Sequence, residues 1–175
     1  LVVTFIAFGF LLPETFLTTR NIQFLLLSSA AIGMLALGES VCLLSGHFDL
    51  SVGSIAGFSA MITGLFMAQW FPGAPGIVGI AVILLVGGTI GLLNGISVAY
   101  LGVNPFLQTL AFLIIFRGAT IAASTYPITD LPESYLFVGG GDILPGVPTA
   151  VAILFASFAL VGFILKYEPF GLAIY

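Results

Sequence analysis

Charge is nearly missing from this chain. Asp, Glu, Lys and Arg together make up 6% of 175 residues, several times less than a soluble domain carries, so a soluble domain is excluded. The basic residues are Arg20, Arg117 and Lys166 alone, too few and too scattered to neutralise a phosphate backbone, which excludes nucleic acid as a partner. No Gly-Lys pair exists, so the Gly-x-x-x-x-Gly-Lys-[Ser/Thr] loop of ATP-hydrolysing motors is absent. One cysteine, Cys42, allows neither an intrachain disulfide nor a cysteine metal cluster, and reads as a small apolar residue within a helix. One histidine, His47, excludes the His-Glu-x-x-His zinc pattern, and no metal site or cofactor is expected. No Gly-x-Ser-x-Gly elbow accompanies that histidine, so an intramembrane hydrolase has little to build on and no catalytic residue is assigned.

Apolar length is abundant instead. Hydrophobic residues make up 60% of the chain, and the mean hydropathy is +1.28. The apolar runs are Ile22 to Ser45, about Ser54 to Phe71, Ile77 to Leu101, Phe106 to Ala123 and Thr149 to Leu165. Each is close to the ~20 residues that a bilayer core demands. Leu1 to Leu12 would make a helix of about 18 Å, too short for a ~30 Å core, and reads as the tail of a longer span. The start inside an apolar run, with no charged stretch ahead and no cleavage pattern behind, reads as a fragment and not as a signal peptide. The expectation is an all-α, polytopic transmembrane helix bundle of five complete spans plus one truncated span. It forms a single domain over residues 1–175, with its C-terminal part missing. Trp70 and Phe71 fit an interfacial anchor. Asn104-Pro105 is a helix start, Asn104 capping while Pro105 takes the first helical position. Ser124 to Pro148, with four prolines and three carboxylates, is expected to fold onto the bundle.

The polar exceptions carry the functional content. Gly46-His47-Phe48-Asp49-Leu50-Ser51-Val52-Gly53-Ser54 sets a carboxylate, an imidazole and two hydroxyls between two apolar runs. Such a knot is costly in a membrane unless it faces protein or water. Asp49 and Ser51 can cap the helix that starts near Val52, and a helix start pointing into a bundle is how transporters build polar sites. Glu39, Asn94, Gln108 and Arg117 are further polar residues on apolar runs, read as pathway or structural groups. A Glu39–Arg117 ion pair is one arrangement the composition permits. Gly87, Gly91 and Gly95 share one helical face and Gly53 and Gly57 another, spacings that let a neighbouring backbone approach closely.

In order, Asp49-Leu50-Ser51-Val52-Gly53-Ser54, Gly91-Leu92-Leu93-Asn94-Gly95 with Val98-Ala99, Asn104-Pro105-Phe106-Leu107-Gln108-Thr109-Leu110 and Arg117-Gly118-Ala119 resemble one family's signatures. Gly146-Val147-Pro148 and the closing Phe170 to Tyr175 fit the same order. The family is the ribose-type, monosaccharide permeases of ABC importers, and the resemblance runs from about Thr15 onward. It implies a homodimerising subunit of a bacterial or archaeal plasma membrane that is not itself an enzyme. Its implied partners are a separate ABC ATPase subunit, an extracytoplasmic sugar-binding protein and the lipid bilayer. It also implies that Arg20 lies outside, where it can meet a carboxylate of the docking binding protein, and that Lys166 lies inside. Two departures from the family pattern stand out. His47-Phe48 replaces a small or aliphatic pair, and Leu172 stands where a basic residue is common. The alternative reading is an ion-coupled secondary transporter or channel, with Glu39 and Asp49 as relay carboxylates.

Overall fold

The structure is a computed structural model that describes residues 2–174, without the side chains of 170, 172 and 173. Tyr175 of the closing motif and the side chain of Leu172 therefore lie outside the described residues. The elements in order are α1 (Val2–Leu11), α2 (Pro13–Phe16), α3 (Thr19–Leu44), α4 (Val52–Leu65), α5 (Gly76–Ala99), α6 (Pro105–Ala123) and α7 (Glu133–Gly140). A hairpin of β1 (Asp142–Leu144) and β2 (Val147–Pro148) follows, and then α8 (Thr149–Tyr167) and α9 (Pro169–Ile174). A π-helical turn, Phe66–Trp70, extends α4. Among the described residues, five helices are long and apolar enough to cross a membrane: α3, α4 with its π turn, α5, α6 and α8. The chain is an all-α polytopic bundle, and the short hairpin is an addition that hydropathy did not foresee.

Local chemistry sets the helix ends. Thr18 caps α3 by accepting the Asn21 N–H at 3.3 Å, which starts the helix three residues before the apolar run. Gly46, at φ +78°, closes the same helix. Its N–H reaches Leu43 O and the His47 N–H reaches Cys42 O, the paired bonds of a left-handed helix cap. Asn104 accepts the Phe106 and Leu107 N–H groups at 3.0 and 3.3 Å, and α6 begins at Pro105 as the sequence predicts. The first N–H of α5, on Gly76, is met from outside the helix by Ser134 Oγ at 3.0 Å.

The connectors 45–51, 71–75 and 100–104 are short, so successive spans run antiparallel. One end of the bundle therefore gathers the start of α3, the start of α5 and the segment 124–148. There Gln23 Nε2 donates to Asp142 Oδ2 at 3.0 Å and ties the hairpin down. The other end gathers the knot, the 100–104 turn and the end of α8. α4 is the centre, packed between α5 and α6, whereas α3 packs chiefly on α8.

The interior is small and mixed, with Ala30, Leu37, Leu65, Met67 and Ile90 buried beside polar residues. Among the described residues, Ser51, Ser59, Thr63, Asn94 and Thr109 are buried, while Phe24, Leu84, Phe106 and Phe155 are each more than half exposed. That inversion is what lipid permits, since it exerts no hydrophobic drive between helices and close packing must hold them. The glycines that make the close approaches are not the ones the spacing indicated. A Cβ on Gly33 would meet Leu154 of α8 at 2.9 Å, and one on Gly76 would meet the Ser134 and Tyr135 backbone at 2.6 Å. A Cβ on Gly79 would collide with Met67 Sδ, and one on Gly64 would press on Ile128 at 3.3 Å. Nothing lies within 4 Å of a Cβ built on Gly53, Gly57, Gly91 or Gly95, and Gly87 meets only Ser59 Oγ at 3.4 Å. A four-residue glycine stripe permits a close neighbour but cannot supply one. Within this chain, four of those five faces are open.

Gly76→Ala is expected to push α7 off α5, because the new methyl group meets backbone that cannot rotate away. The cost should be about 1–3 kcal/mol. Thermal unfolding of the full-length protein in detergent, with proteolysis of segment 124–148, checks it; an unchanged melting temperature and cleavage rate would refute the contact.

Candidate functional site

The knot folds back on itself through Asp49. One carboxylate oxygen, Oδ1, accepts the Ser51 N–H at 2.7 Å and the Ser51 hydroxyl at 2.5 Å. The other, Oδ2, accepts the Asn94 amide from α5 at 3.3 Å, and the same amide donates to Ser51 Oγ at 3.3 Å. Glu39, five residues before the end of α3, accepts the Asp49 N–H at 3.2 Å. The end of α3, the knot and α5 thus converge on one residue, Asp49, the first through its backbone N–H and the other two through its carboxylate. Ser51 is fully buried and Asn94 is only 6% exposed.

The cap expectation needs revision. Ser51 occupies the N-cap position of α4, with helical backbone angles and no side-chain bond to the helix. Asp49 lies two residues further out and binds Ser51, not the helix's inner N–H groups. The reason is reach. An Asp two residues ahead of a cap closes a tight turn on its own neighbour before it can span to the first helical turn. Asp49 therefore shapes the approach to α4.

Depth follows from helix rise. Glu39 and Asn94 each stand five residues before their helix ends, and Thr109 stands four residues into α6. At 1.5 Å per residue the cluster lies about 6–8 Å inside one end of the bundle. Beside it is a cavity of about 200 Å³ whose lining includes Cys42, His47, Phe48, Asp49, Asn94 and Thr109, with Gly91 and Gly95 as open faces. Cys42 and Thr109 were not singled out as site residues from the sequence. Thr109 sits inside the Asn104-to-Leu110 signature, which was the available signal. Ser59 was missed as well: it is buried on α4, and its hydroxyl has no hydrogen-bond partner among the described residues.

The remaining polar residues are elsewhere. Arg117 on α6 is exposed and lines a groove of about 490 Å³ with Leu50, Gly53, Ser54 and Gly57. No hydrogen bond joins it to Glu39 among the described residues, since Glu39 is engaged with Asp49. The ion-pair arrangement is thus not the one adopted. Gln108 is half-buried in the first turn of α6, and Arg20 is exposed in the first turn of α3, at the opposite end from the cluster.

A helix that restarts inside a membrane bundle is one way in which transporters build polar sites, and comparison with known proteins gives the family. The permease component of the branched-chain amino acid transport system, as that family is described, matches residues 21–175. The chain belongs to that family. Its relatives include the L-arabinose ABC transporter permease protein AraH of Azospirillum brasilense, 34% identical over 97% of this chain and 49% of the relative. The D-allose transport system permease protein AlsC of Escherichia coli is 40% identical over 67% of this chain and 35% of the relative. The ribose import permease protein RbsC of Haemophilus influenzae is 30% identical over 97% of this chain and 53% of the relative. The resemblance read from the ordered motifs therefore holds. The chain spans about half or less of the length of these curated relatives. No solved structure matches it at a significant level. It is a multi-pass inner-membrane protein and a permease component.

Asp49→Ala leaves the Ser51 N–H and hydroxyl without an acceptor and takes one of two acceptors from the Asn94 amide, and is expected to cost about 1–3 kcal/mol for each donor left unmet. Asp49→Asn keeps one acceptor for Ser51 but turns an amide toward the Asn94 amide, so its effect should be intermediate. Melting temperatures of the full-length permease and both variants test the order. Two equal and negligible shifts would remove the cluster from the account.

Proposed function

We propose that this chain forms the translocation pathway of an ABC importer for a simple sugar. A soluble extracytoplasmic binding protein delivers the sugar, and a separate ATPase subunit does the work. The chain itself catalyses no reaction, and two copies form the pathway as a homodimer. The observation that carries this reading is the Asp49–Ser51–Asn94 cluster joined to Glu39, on helices otherwise apolar, in a chain whose relatives are named as arabinose, allose and ribose permeases.

The physical reasoning supports that division of labour. An uncharged sugar needs a passage that opens alternately, with few polar groups, and not a cage of charges. Selectivity then resides in the binding protein and energy in the ATPase, so the membrane subunit can remain apolar. Open glycine faces at Gly53, Gly57, Gly91 and Gly95 leave room for helices to shift. Glu39, Asp49, Ser51, Asn94, Asn104, Gln108 and Arg117 are the polar groups assigned to the pathway or to its support.

Proteoliposomes of the full-length permease are expected to take up sugar only with the ATPase, ATP and binding protein present. Uptake driven by a proton gradient without the ATPase would overturn the reading in favour of an ion-coupled carrier. Arg20 is placed at the docking surface, so Arg20→Glu should weaken binding-protein affinity and lessen its salt dependence. Affinity measured at two ionic strengths checks this, and an unchanged value removes Arg20 from the interface.

A further inference from the structure

The cluster around Asp49 has used up its hydrogen-bond donors. The Ser51 N–H and hydroxyl both go to Asp49 Oδ1. The Asn94 amide nitrogen donates to Asp49 Oδ2 and to Ser51 Oγ, each at 3.3 Å. The Asp49 N–H goes to Glu39, and the Thr109 hydroxyl donates to the Pro105 carbonyl at 2.9 Å. Acceptors, by contrast, are left over. Asn94 Oδ1 is buried with no partner among the described residues. A carboxylate offers about four acceptor sites, and three of those on Asp49 are taken. The amide cannot be turned to relieve this, because its carbonyl would then face the Asp49 carboxylate.

A site rich in acceptors, with the His47 ring and the Cys42 thiol as its remaining donors, selects what enters it. It repels anions and offers nothing to a ligand that brings only acceptors. The adjoining cavity, about 200 Å³, equals the share of about six or seven liquid waters, far more than a bare cation occupies. Its other walls are mostly apolar or aromatic: Phe48 is 49% exposed beside Asp49, Val98 and Pro105 complete that side, and the His47 ring, with Nδ1 3.4 Å from Ser45 Oγ, is the polar exception. An aromatic face set against a few placed acceptors fits the C–H face and the hydroxyls of a small ring. Gly91 and Gly95 leave the floor bare, since a Cβ there would meet no atom within 4 Å.

We propose that this cavity, between the ends of α3, α5 and α6, is a binding site for one neutral polyhydroxyl ring, which donates hydroxyls to Asp49 and rests on Phe48. The inference rests on the sugar-permease reading above and adds a location and a recognition chemistry to it. The site is selective for O–H donors, so monosaccharides enter and acidic sugars do not.

The chain supplies its own reporter, because Cys42 is its one cysteine and lines the same cavity. Full-length permease in membrane vesicles would be labelled with a small methanethiosulfonate, and the Cys42 peptide followed by mass spectrometry. The probes are L-arabinose, D-ribose and D-allose, with glucuronate and glycine betaine at equal concentration as controls. At least one neutral sugar is expected to slow Cys42 labelling, by about threefold at twice its Kd. The controls should leave the rate unchanged, and Phe48→Ala, a change at an exposed side chain, should abolish the protection. No protection by any of the three sugars, equal protection by glucuronate, or full protection surviving in Phe48→Ala overturns the proposal. So does protection that follows sodium and vanishes in choline chloride. ATP-dependent uptake measured on the same preparation separates the two readings. ATP-dependent uptake without protection sinks this site alone, whereas protection together with uptake that needs no ATPase sinks the importer reading.

Discussion

A carboxylate placed among apolar helices must have its acceptors met by the protein, and Asp49 imposes that constraint on everything near it. The cost of burying an uncompensated charge exceeds any single packing gain in such a bundle. The chain answers with donors from three places: the backbone and hydroxyl of Ser51, and the amide of Asn94 from a helix 45 residues on in sequence. Glu39 then holds the Asp49 N–H and fastens the connector to α3. The end of α3, the start of α4 and the last turns of α5 are thereby fixed relative to one another. The left-handed cap at Gly46 is the companion device, because it turns the chain sharply enough for residue 49 to come back against residue 39.

The rest of the packing obeys lipid and not water. Helices here leave most large apolar side chains facing outward and bury only a few, among them Leu37, Leu65, Met67 and Ile90; they approach through small residues and bury hydroxyls and an amide as well. The approaches are local and specific. Gly33 admits Leu154, Gly64 admits Ile128, and Gly76 with Gly79 admits α7 and Met67. The segment 124–148 is consequently a structural part of the bundle, closing the N-terminus of α5 through Ser134 and binding α3 through Asp142. Within that segment, burial pushes the Tyr135 phenol above its ordinary value, so it stays protonated and neutral where it meets Gly79. The bundle's two ends thus differ. One is closed by α7 and the hairpin, and the other carries the acceptor-rich cluster and its cavity.

Sequence by itself determined the class, the number of spans and most helix boundaries, because hydropathy over some 20 residues and the chemistry of Asn104-Pro105 are local properties. It also determined which residues are polar where polarity is costly, and four of those, Glu39, Asp49, Ser51 and Asn94, proved to be one cluster. Only the tertiary structure decided their company. Whether Glu39 faces Arg117 or Asp49 depends on how α3 and α6 are rotated and placed, and no local pattern encodes a rotation. The same holds for the glycines. Spacing marks where a backbone is bare, but the neighbour that fills the space, or leaves it open as at Gly91 and Gly95, comes from another part of the chain. Local chemistry can place a donor and an acceptor on their helices; their meeting is settled by the packing of those helices, whose energies are shared over many contacts distant in sequence.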